Sequence, residues 1–397
     1  MKSTIRIYIG SVILRSLSGS MVGAIYVKYL LMNGLSLFET SLLNCVFYIA
    51  LIFLDVPTGA FADVFGRKKS VALSFACAAL GQIAYGVSTT ISGFITSEVI
   101  LAFSVTFFNG ALKAWAVDQL KYHGHDGNFT ELFGKVNIFG WCVCIPGAVT
   151  GGYFLSLDSR LPWFVCSAIS CIGLLFCLIY MKEDYFRRKK VSLRRSYKMM
   201  CLTIRISIRY VKKSRVVRFI ILSSIFQVFA VQAPNMQWVP RFEETIGGTA
   251  MLGIAMASFA LMNALGSFLA KRVLKATRDE ERMIMWCQVM IGAFIIGSAL
   301  VPGPLGFVLF LLHQIPRGMF FPVKDAYFQD HISSRERATM SSFESIVPNM
   351  GGVVALFSTG FMAESHGIPM TWTVSGSILV TAAVALAFAS RKALKKA

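Results

Sequence analysis

The fold class of this chain is decided by one short loop, Gly59-Ala-Phe-Ala-Asp63-Val-Phe-Gly66-Arg67-Lys68-Lys69. The loop separates two long apolar segments and ends in three basic residues. Gly59 is expected to let two helices approach closely, and Gly66 permits a turn that would strain other residues. Asp63 lies where two helix ends should meet, so it can face a helix N-terminus or a basic partner. A generic basic loop would not predict this spacing of glycine, acid and base.

The composition is that of a membrane protein. Of the 397 residues, 55% are hydrophobic and 15% are charged, and 33 are phenylalanine. A soluble protein of this length could not hide so much apolar surface, whereas lipid solvates it directly. The formal net charge of +19 would suit nucleic acid, but the basic residues lie between apolar runs and form no polar basic domain. The composition therefore indicates a lipid bilayer as partner and excludes nucleic acid.

Twelve apolar segments are long enough to cross a membrane, because about 20 helical residues span roughly 30 Å of hydrocarbon. The first six lie at approximately 6–31, 37–61, 70–89, 92–119, 132–155 and 161–181. The second six lie at approximately 217–239, 250–274, 283–301, 303–330, 338–362 and 370–389. The sequence thus predicts an all-α membrane protein with two pseudo-symmetric six-helix bundles, residues 1–182 and 216–397.

The charges between the segments predict the orientation. Outside the spans, one set of alternate loops carries only Arg160 and Arg241, and all other lysines and arginines lie in the opposite set. By the positive-inside rule we expect a multi-pass membrane protein with both termini in the cytoplasm. The N-terminal sequence runs into the first span without a small-residue cleavage site, so we interpret it as a retained span.

A basic linker, residues 183–215, joins the halves. Arg205 and Arg209 stand four residues apart with apolar residues between them. This pattern fits an amphipathic helix on the anionic inner leaflet, and it fits a solvated charged linker equally well.

With its loop, its twelve spans and its central linker, the whole chain resembles the major facilitator superfamily, whose signature loop has this pattern and location. In that family the loop acid and arginine form a charge-linked lock with an acid of the fourth span, which holds one state and releases during the transport cycle. The resemblance implies a gating motif at Gly59, Asp63, Gly66, Arg67, Lys68 and Asp118. It also implies a bacterial, efflux-like branch of the family and therefore a location in a bacterial inner membrane. The exporter motif of the fifth span is present only in altered form, as Pro146-Gly147-Ala-Val-Thr-Gly151-Gly152.

Charged and amide side chains inside spans are costly and are functional candidates by default. In the family fold, spans one, four, seven and ten line a central cavity. The resemblance therefore makes the following residues candidates for substrate binding: Arg15, Asn109, Lys113, Gln227, Gln232, Asn235 and Arg317. Cationic groups there would favour an anionic substrate. The structural alternative is that Arg15 pairs with a buried acid such as Glu98.

Three acids are candidates for proton coupling, because a carboxyl group in a low dielectric can exchange protons near neutral pH. They are Glu98, Glu344 and Asp55. Asp55 lies near the end of the second span, where a structural helix-end role fits equally well.

The sequence predicts a secondary transporter of a small molecule, with proton-coupled export of a drug-like compound or metabolite as the leading hypothesis. The alternative is an importer or exchanger of an organic anion, such as a carboxylate, a siderophore or a phosphate-bearing metabolite. We expect no cofactor and no metal, because no nucleotide-binding loop, zinc-binding motif or clustered ligand set is present. An enzyme and a channel are both disfavoured, and a monomer is expected.

Overall fold

The computed structural model describes residues 2–124, 129–183, 185, 193–277, 279–332 and 337–394. Every regular element within these ranges is helical. The first six long helices are α1 (Lys2–Met32), α2 (Leu37–Phe65), α3 (Arg67–Val87), α4 (Ile91–Tyr122), α5 (Phe129–Leu157) and α6 (Leu161–Tyr180). They coincide with the six predicted spans to within a few residues.

The linker contains α7 (Leu193–Lys213). For this region the sequence predicted either an amphipathic helix or a solvated charged linker. The Tyr197 hydroxyl on α7 donates to the backbone oxygen of Phe53 on α2, at 2.9 Å. Arg205 and Arg209 are both exposed.

The second set of helices follows α7. It comprises α8 (Arg215–Phe242), a 3₁₀ turn (Thr249–Met251), α9 (Leu252–Thr277), α10 (Glu280–Leu300), α11 (Gly303–Leu312), α12 (Gln314–Asp330), α13 (Arg337–His366) and α14 (Ile368–Leu394). The predicted span at 303–330 is two helices that meet at His313, so the order of elements matches six further spans.

Ten helical segments among the described residues are long and apolar enough to cross a membrane, with α11 and α12 counted as one. The two remaining predicted spans are α5, which contributes the apolar stretch Cys142–Leu157, and α13, which has 30 residues. The predicted all-α membrane fold is confirmed, and the order of its helices is consistent with twelve spans.

The contacts divide the chain into two compact units. Unit 1 comprises Met1–Gly34, Val46–Met200 and Thr249–Ala257, and unit 2 comprises Leu35–Cys45, Cys201–Gly248 and Ser258–Ala397. Unit 2 therefore contains the first turns of α2, and unit 1 contains the first residues of α9.

Small residues set the helix packing in unit 1. A Cβ at Gly151 of α5 would lie 2.3 Å from the backbone oxygen of Met21 on α1, and one at Gly147 would meet Ser20. A Cβ at Gly253 of α9 would lie 2.1 Å from the backbone oxygen of Ala148. The motif glycines Gly147 and Gly151 thus let α1 approach the backbone of α5, and Gly253 lets the start of α9 approach it.

Unit 2 uses the same principle. A Cβ at Gly266 of α9 would lie 2.0 Å from the backbone oxygen of Ile315, and one at Gly318 of α12 would lie 2.0 Å from that of Asn263. Larger residues at these two positions would force α9 and α12 apart.

Candidate functional site

The turn between α2 and α3 depends on Gly66. Its φ of +99° lies in the left-handed region, where a Cβ is strained, as the sequence predicted. The Gly66 NH donates to the backbone oxygen of Ala62 at the end of α2, and the Gly66 oxygen accepts from the NH of Ser70 in the first turn of α3. Gly66 therefore takes part in the last hydrogen bond of α2 and the first of α3. A Cβ at Gly66 would also lie 2.6 Å from Oε2 of Glu183. Glycine is therefore required here for two independent reasons.

Glu183 is the residue of this site that the sequence reasoning missed. Its Oε1 accepts from the NH of Arg67 at 2.7 Å, and its Oε2 accepts from the NH of Lys68 at 3.2 Å. A carboxylate at this position satisfies two open NH groups of α3 and faces the positive end of the helix dipole. The acid at the N-terminus of α3 is thus Glu183, whereas the sequence analysis considered Asp63 for this position.

Arg67 and Asp118 form an ion pair between α3 and α4. Their side chains are 22% and 38% exposed, so the pair is partly screened by water. The neighbouring Tyr185 is half-buried, and burial, followed by the negative charge of Glu183, raises the pKa of its hydroxyl. The phenol is therefore neutral beside the charged groups at physiological pH.

Arg67, Asp118 and Glu183 form what we call the charged corner of unit 1. Two further hydrogen bonds join this corner to the end of α6 and the segment after it. The Trp115 indole donates to the backbone oxygen of Lys182 at 2.7 Å, and the Lys68 ammonium donates to that of Leu178 at 2.8 Å. Trp115 is 1% exposed and belongs to the core of unit 1. The loop, α4 and the segment after α6 are therefore bonded together.

Two motif residues, Gly59 and Asp63, do not make the contacts that the sequence analysis predicted for them. A Cβ at Gly59 would meet nothing within 4 Å, so the expected close helix approach is not found there. Asp63 is partly exposed, and its carboxylate has no ion pair with any residue that the structure describes. Of the charged residues in the predicted motif, Arg67 and Asp118 are the two that form an ion pair with each other within the described part of the chain.

Glu98 lies in a buried polar pocket of unit 1. Its side chain is 3% exposed, and its Oε1 accepts from the hydroxyls of Tyr26 on α1 and Tyr85 on α3, both at 2.5 Å. Tyr85 stacks on Trp163 with ring centroids 4.2 Å apart. The carboxyl group is therefore held by two phenol donors in an aromatic surrounding.

Arg15 contacts neither Glu98 nor another acid among the described residues. Its Nη1 donates to the Ser104 hydroxyl of α4 at 2.8 Å, and its guanidinium lies 5.6 Å from the centre of the Phe108 ring. The side chain is half-buried. A guanidinium held by a neutral hydroxyl and an aromatic ring keeps its charge available for a ligand.

Arg317 lies in a polar cluster of unit 2. Its Nη1 donates to Oδ1 of Asn235 at 3.0 Å and to Oε1 of Gln314 at 3.5 Å. The Asn235 amide donates in turn to Oε1 of Gln232 at 3.4 Å. The structure therefore brings Gln232, Asn235 and Arg317 together, as three of the predicted substrate-binding residues on α8 and α12.

The other predicted residues are scattered. Asn109 and Lys113 are exposed on α4, and Asp55 is exposed on α2. Gln227 is 0% exposed on α8, and its amide has no hydrogen-bond partner within the described part of the chain. Glu344 belongs to α13, and its side chain lies outside the described residues. No group of metal ligands occurs where the structure could be searched.

A second charged corner, which the sequence did not suggest, occurs in unit 2. Arg215 at the start of α8 pairs with Glu281 at 3.0 Å, and the Tyr327 hydroxyl donates to the same carboxylate at 2.7 Å. Glu281 lies in the first turn of α10, where Asp279 caps the helix. The start of α8, the start of α10 and α12 are therefore bonded together at the Glu281 carboxylate.

Comparison with known proteins agrees with this architecture. A model of the Major Facilitator Superfamily matches residues 8–312 and 248–397. The uncharacterized MFS-type transporter YxaM of Bacillus subtilis (strain 168) is 21% identical over 377 residues, which are 92% of this chain and 91% of that protein. Multidrug resistance protein 2 of the same organism is 26% identical over 142 residues, which are 36% of this chain and 34% of that protein.

Two solved structures have the same fold. The nucleoside transporter NupG superposes with a TM-score of 0.77 at 16% identity, covering 97% of this chain and 98% of its own. A POT family transporter in complex with 5-aminolevulinic acid superposes with a TM-score of 0.77 at 12% identity, covering 98% and 96%. Identities this low establish the fold alone. The family model, by contrast, covers nearly the whole chain and confirms the resemblance, so this multi-pass membrane protein belongs to the Major Facilitator Superfamily of transporters.

Proposed function

We propose that the protein is a secondary active transporter that exports a drug-like compound or metabolite in exchange for protons. It works by alternating access, as a monomer, in the bacterial inner membrane with both termini in the cytoplasm. The observation that carries the proton coupling is the Glu98 site, where a carboxyl group that is 3% exposed lies between two phenol donors.

Two features favour Glu98 over Asp55, the other candidate acid whose side chain the structure describes. Glu98 is deeply buried, so a fixed negative charge there is costly and a proton relieves the cost. Its two phenol partners can stabilise the anion after the proton leaves. Asp55, in comparison, is exposed on α2 and has no comparable donors among the described residues.

Alternating access is supported by the Arg67–Asp118 pair. Partly exposed pairs of this kind contribute little to stability, so they can break and re-form during a cycle at low cost. Export is supported by the partial similarity to Multidrug resistance protein 2, which extends over 36% of this chain.

A second candidate function is the import or exchange of an organic anion. It is favoured by Arg15, because its guanidinium donates to the neutral Ser104 hydroxyl and forms no ion pair with an acid among the described residues. Arg317, which donates to the Asn235 side chain, is a second guanidinium that an anion could contact. An arginine in a membrane span that is not neutralised by an acid is suited to a carboxylate or a phosphate.

A thermal-shift screen of the purified protein separates the two functions. The panel contains cationic dyes, polycarboxylates, siderophores and phosphate esters, because any ligand that binds the folded state raises the melting temperature. Export of drug-like compounds predicts stabilisation by the cationic dyes, and the shift should persist in Arg15→Gln. The alternative predicts stabilisation by anions, lost in Arg15→Gln and Arg317→Gln.

A further inference from the structure

A cavity of about 260 Å³ opens at one end of unit 1, where the first turn of α1 meets the last turns of α4 and the segment after α6. Ser3 and Thr4 line it from α1, Gln119 and His123 from α4, and Lys182 from the segment after α6. It is not part of the Arg15 or Glu98 sites, because it shares no residue with either. Its lining nevertheless has a definite chemistry.

The lining is rich in hydrogen-bond donors and contains no acid. Lys182 is exposed, and its ammonium forms no ion pair with any residue that the structure describes. The His123 imidazole bonds through Nε2 to the amide of Gln119, which is 3% exposed. Two hydroxyls complete the set on α1. An ammonium, an imidazole, an amide and two hydroxyls together match the several oxygens of a phosphate.

The first turn of α1 adds to this preference. Ser3 and Thr4 lie directly after the first residue of the helix, so the open NH groups and the positive end of the helix dipole are at the cavity. Both effects act in the same direction as the Lys182 charge, in favour of an anion.

The surroundings fit the membrane–water interface. Tyr122 at the end of α4 and Tyr180 at the end of α6 are 58% and 55% exposed. Arg6 on α1 and Lys121 on α4, each two residues from a lining residue in sequence, are exposed as well. Tyrosine and lysine side chains concentrate at the level of lipid headgroups. Tyr180 also lines the cavity, so a molecule in it would be in contact with the interfacial aromatic residues.

We propose that this cavity binds a phosphate group, carried either by the headgroup of an anionic phospholipid or by a soluble phosphate ester. The bound phosphate accepts from Lys182 and His123 and faces the first turn of α1. The occupant also reaches the charged corner, because Trp115 lines the cavity and donates to the oxygen of Lys182, whose neighbour Glu183 holds the start of α3. Binding therefore restrains the segment that supports the Arg67–Asp118 pair.

Native mass spectrometry of the purified full-length protein tests the site. The probes are phosphatidylglycerol, phosphatidylcholine and sn-glycerol 3-phosphate, and the variants are Lys182→Gln and His123→Gln. The matched control is Lys121→Gln, which removes an exposed lysine of α4 that does not line the cavity. Loss of one charge-assisted hydrogen bond should weaken binding about tenfold.

The source of the phosphate follows from which probe responds. Binding of phosphatidylglycerol that falls in Lys182→Gln but not in Lys121→Gln supports a lipid headgroup. The same dependence for sn-glycerol 3-phosphate supports a soluble ester. If no probe binds, or if both lysine variants lose binding equally, the phosphate site does not exist and the lysines act only as general surface charge. A melting-temperature measurement of each variant without ligand verifies that the proteins are equally folded.

Discussion

The guanidinium of Arg67 and the carboxylate of Asp118 form an ion pair that joins the first turn of α3 to the last turns of α4. The pair is partly exposed, so its contribution to stability is about 1 kcal/mol or less. Energies of that size still change the ratio of two conformations by about fivefold. We therefore expect Asp118→Asn to lower the initial transport rate in proteoliposomes severalfold while the amount of folded protein stays unchanged.

The control for this prediction is Lys69→Gln, which removes an exposed charge of the same loop. The rescue is the reversed pair, Arg67→Asp with Asp118→Arg, which keeps the attraction and exchanges its ends. A reversed pair that transports no better than either single variant would show that mutual attraction is not what the two residues supply.

Gly66→Ala should destabilise the protein by about 1–3 kcal/mol, because alanine at a positive φ is strained and its Cβ would collide with Glu183. Gly59→Ala is the matched control from the same loop, since its Cβ meets nothing within 4 Å and the backbone there is helical. Melting temperatures in detergent measure both. Equal melting temperatures for the two variants would contradict both the backbone strain and the collision expected at Gly66.

The close contact between α2 and α13 within unit 2 gives a third prediction. A Cβ at Gly360 of α13 would lie 2.6 Å from Cβ of Ser41 on α2, and the ring of Phe38 one turn earlier packs edge-on against Phe357 at 5.4 Å. Gly360→Ala should cost about 1–3 kcal/mol through overpacking. The second change Ser41→Gly should restore most of the melting temperature, because it removes the colliding atoms.

Gly351→Ala is the control on the same helix, since the nearest atom to its Cβ would be at an ordinary 3.4 Å. Failure of Ser41→Gly to rescue Gly360→Ala would place the cause of the defect elsewhere than at this contact.

Arg15 and Arg317 give a prediction specific to the organic-anion alternative. If each binds an anionic group, Arg15→Gln and Arg317→Gln should each raise the KM for an anionic substrate about tenfold or more, with a smaller effect on the maximal rate. Arg241→Gln is the control, because that guanidinium donates to the backbone oxygen of Ala299 and has no proposed ligand. Unchanged KM values in both variants would eliminate the anion alternative and leave export of drug-like compounds.

Much of the fold could be predicted from the sequence because hydropathy is a local property. The predicted spans agree with the helices to within a few residues, and Gly66 has the predicted turn. The break at His313 was not predicted, since an apolar segment of that length reads as one helix. The Arg67–Asp118 contact came from the family resemblance and not from local pattern.

The partners of the buried polar groups could not be predicted, because they are distant in sequence. Glu183 is 116 residues from Arg67, and Tyr26 is 72 residues from Glu98. The alternative of an Arg15–Glu98 pair followed only from opposite charge, whereas packing gives Arg15 a serine and Glu98 two tyrosines. The reason assigned to Gly59 was wrong for the same cause, since close approach depends on which helix lies opposite.

The proton-coupling role of Glu98 is the central claim. Its direct test is transport of the compound that gives the largest thermal shift, measured in proteoliposomes with an imposed pH gradient and, separately, as exchange without a gradient. Glu98→Gln keeps the size and the hydrogen-bonding partners of the side chain but cannot release a proton, and Asp55→Asn is the exposed control. We predict that Glu98→Gln abolishes gradient-driven accumulation and retains exchange, while Asp55→Asn retains both. Accumulation by Glu98→Gln at the unmodified rate, or accumulation that ignores collapse of the gradient, would contradict the account.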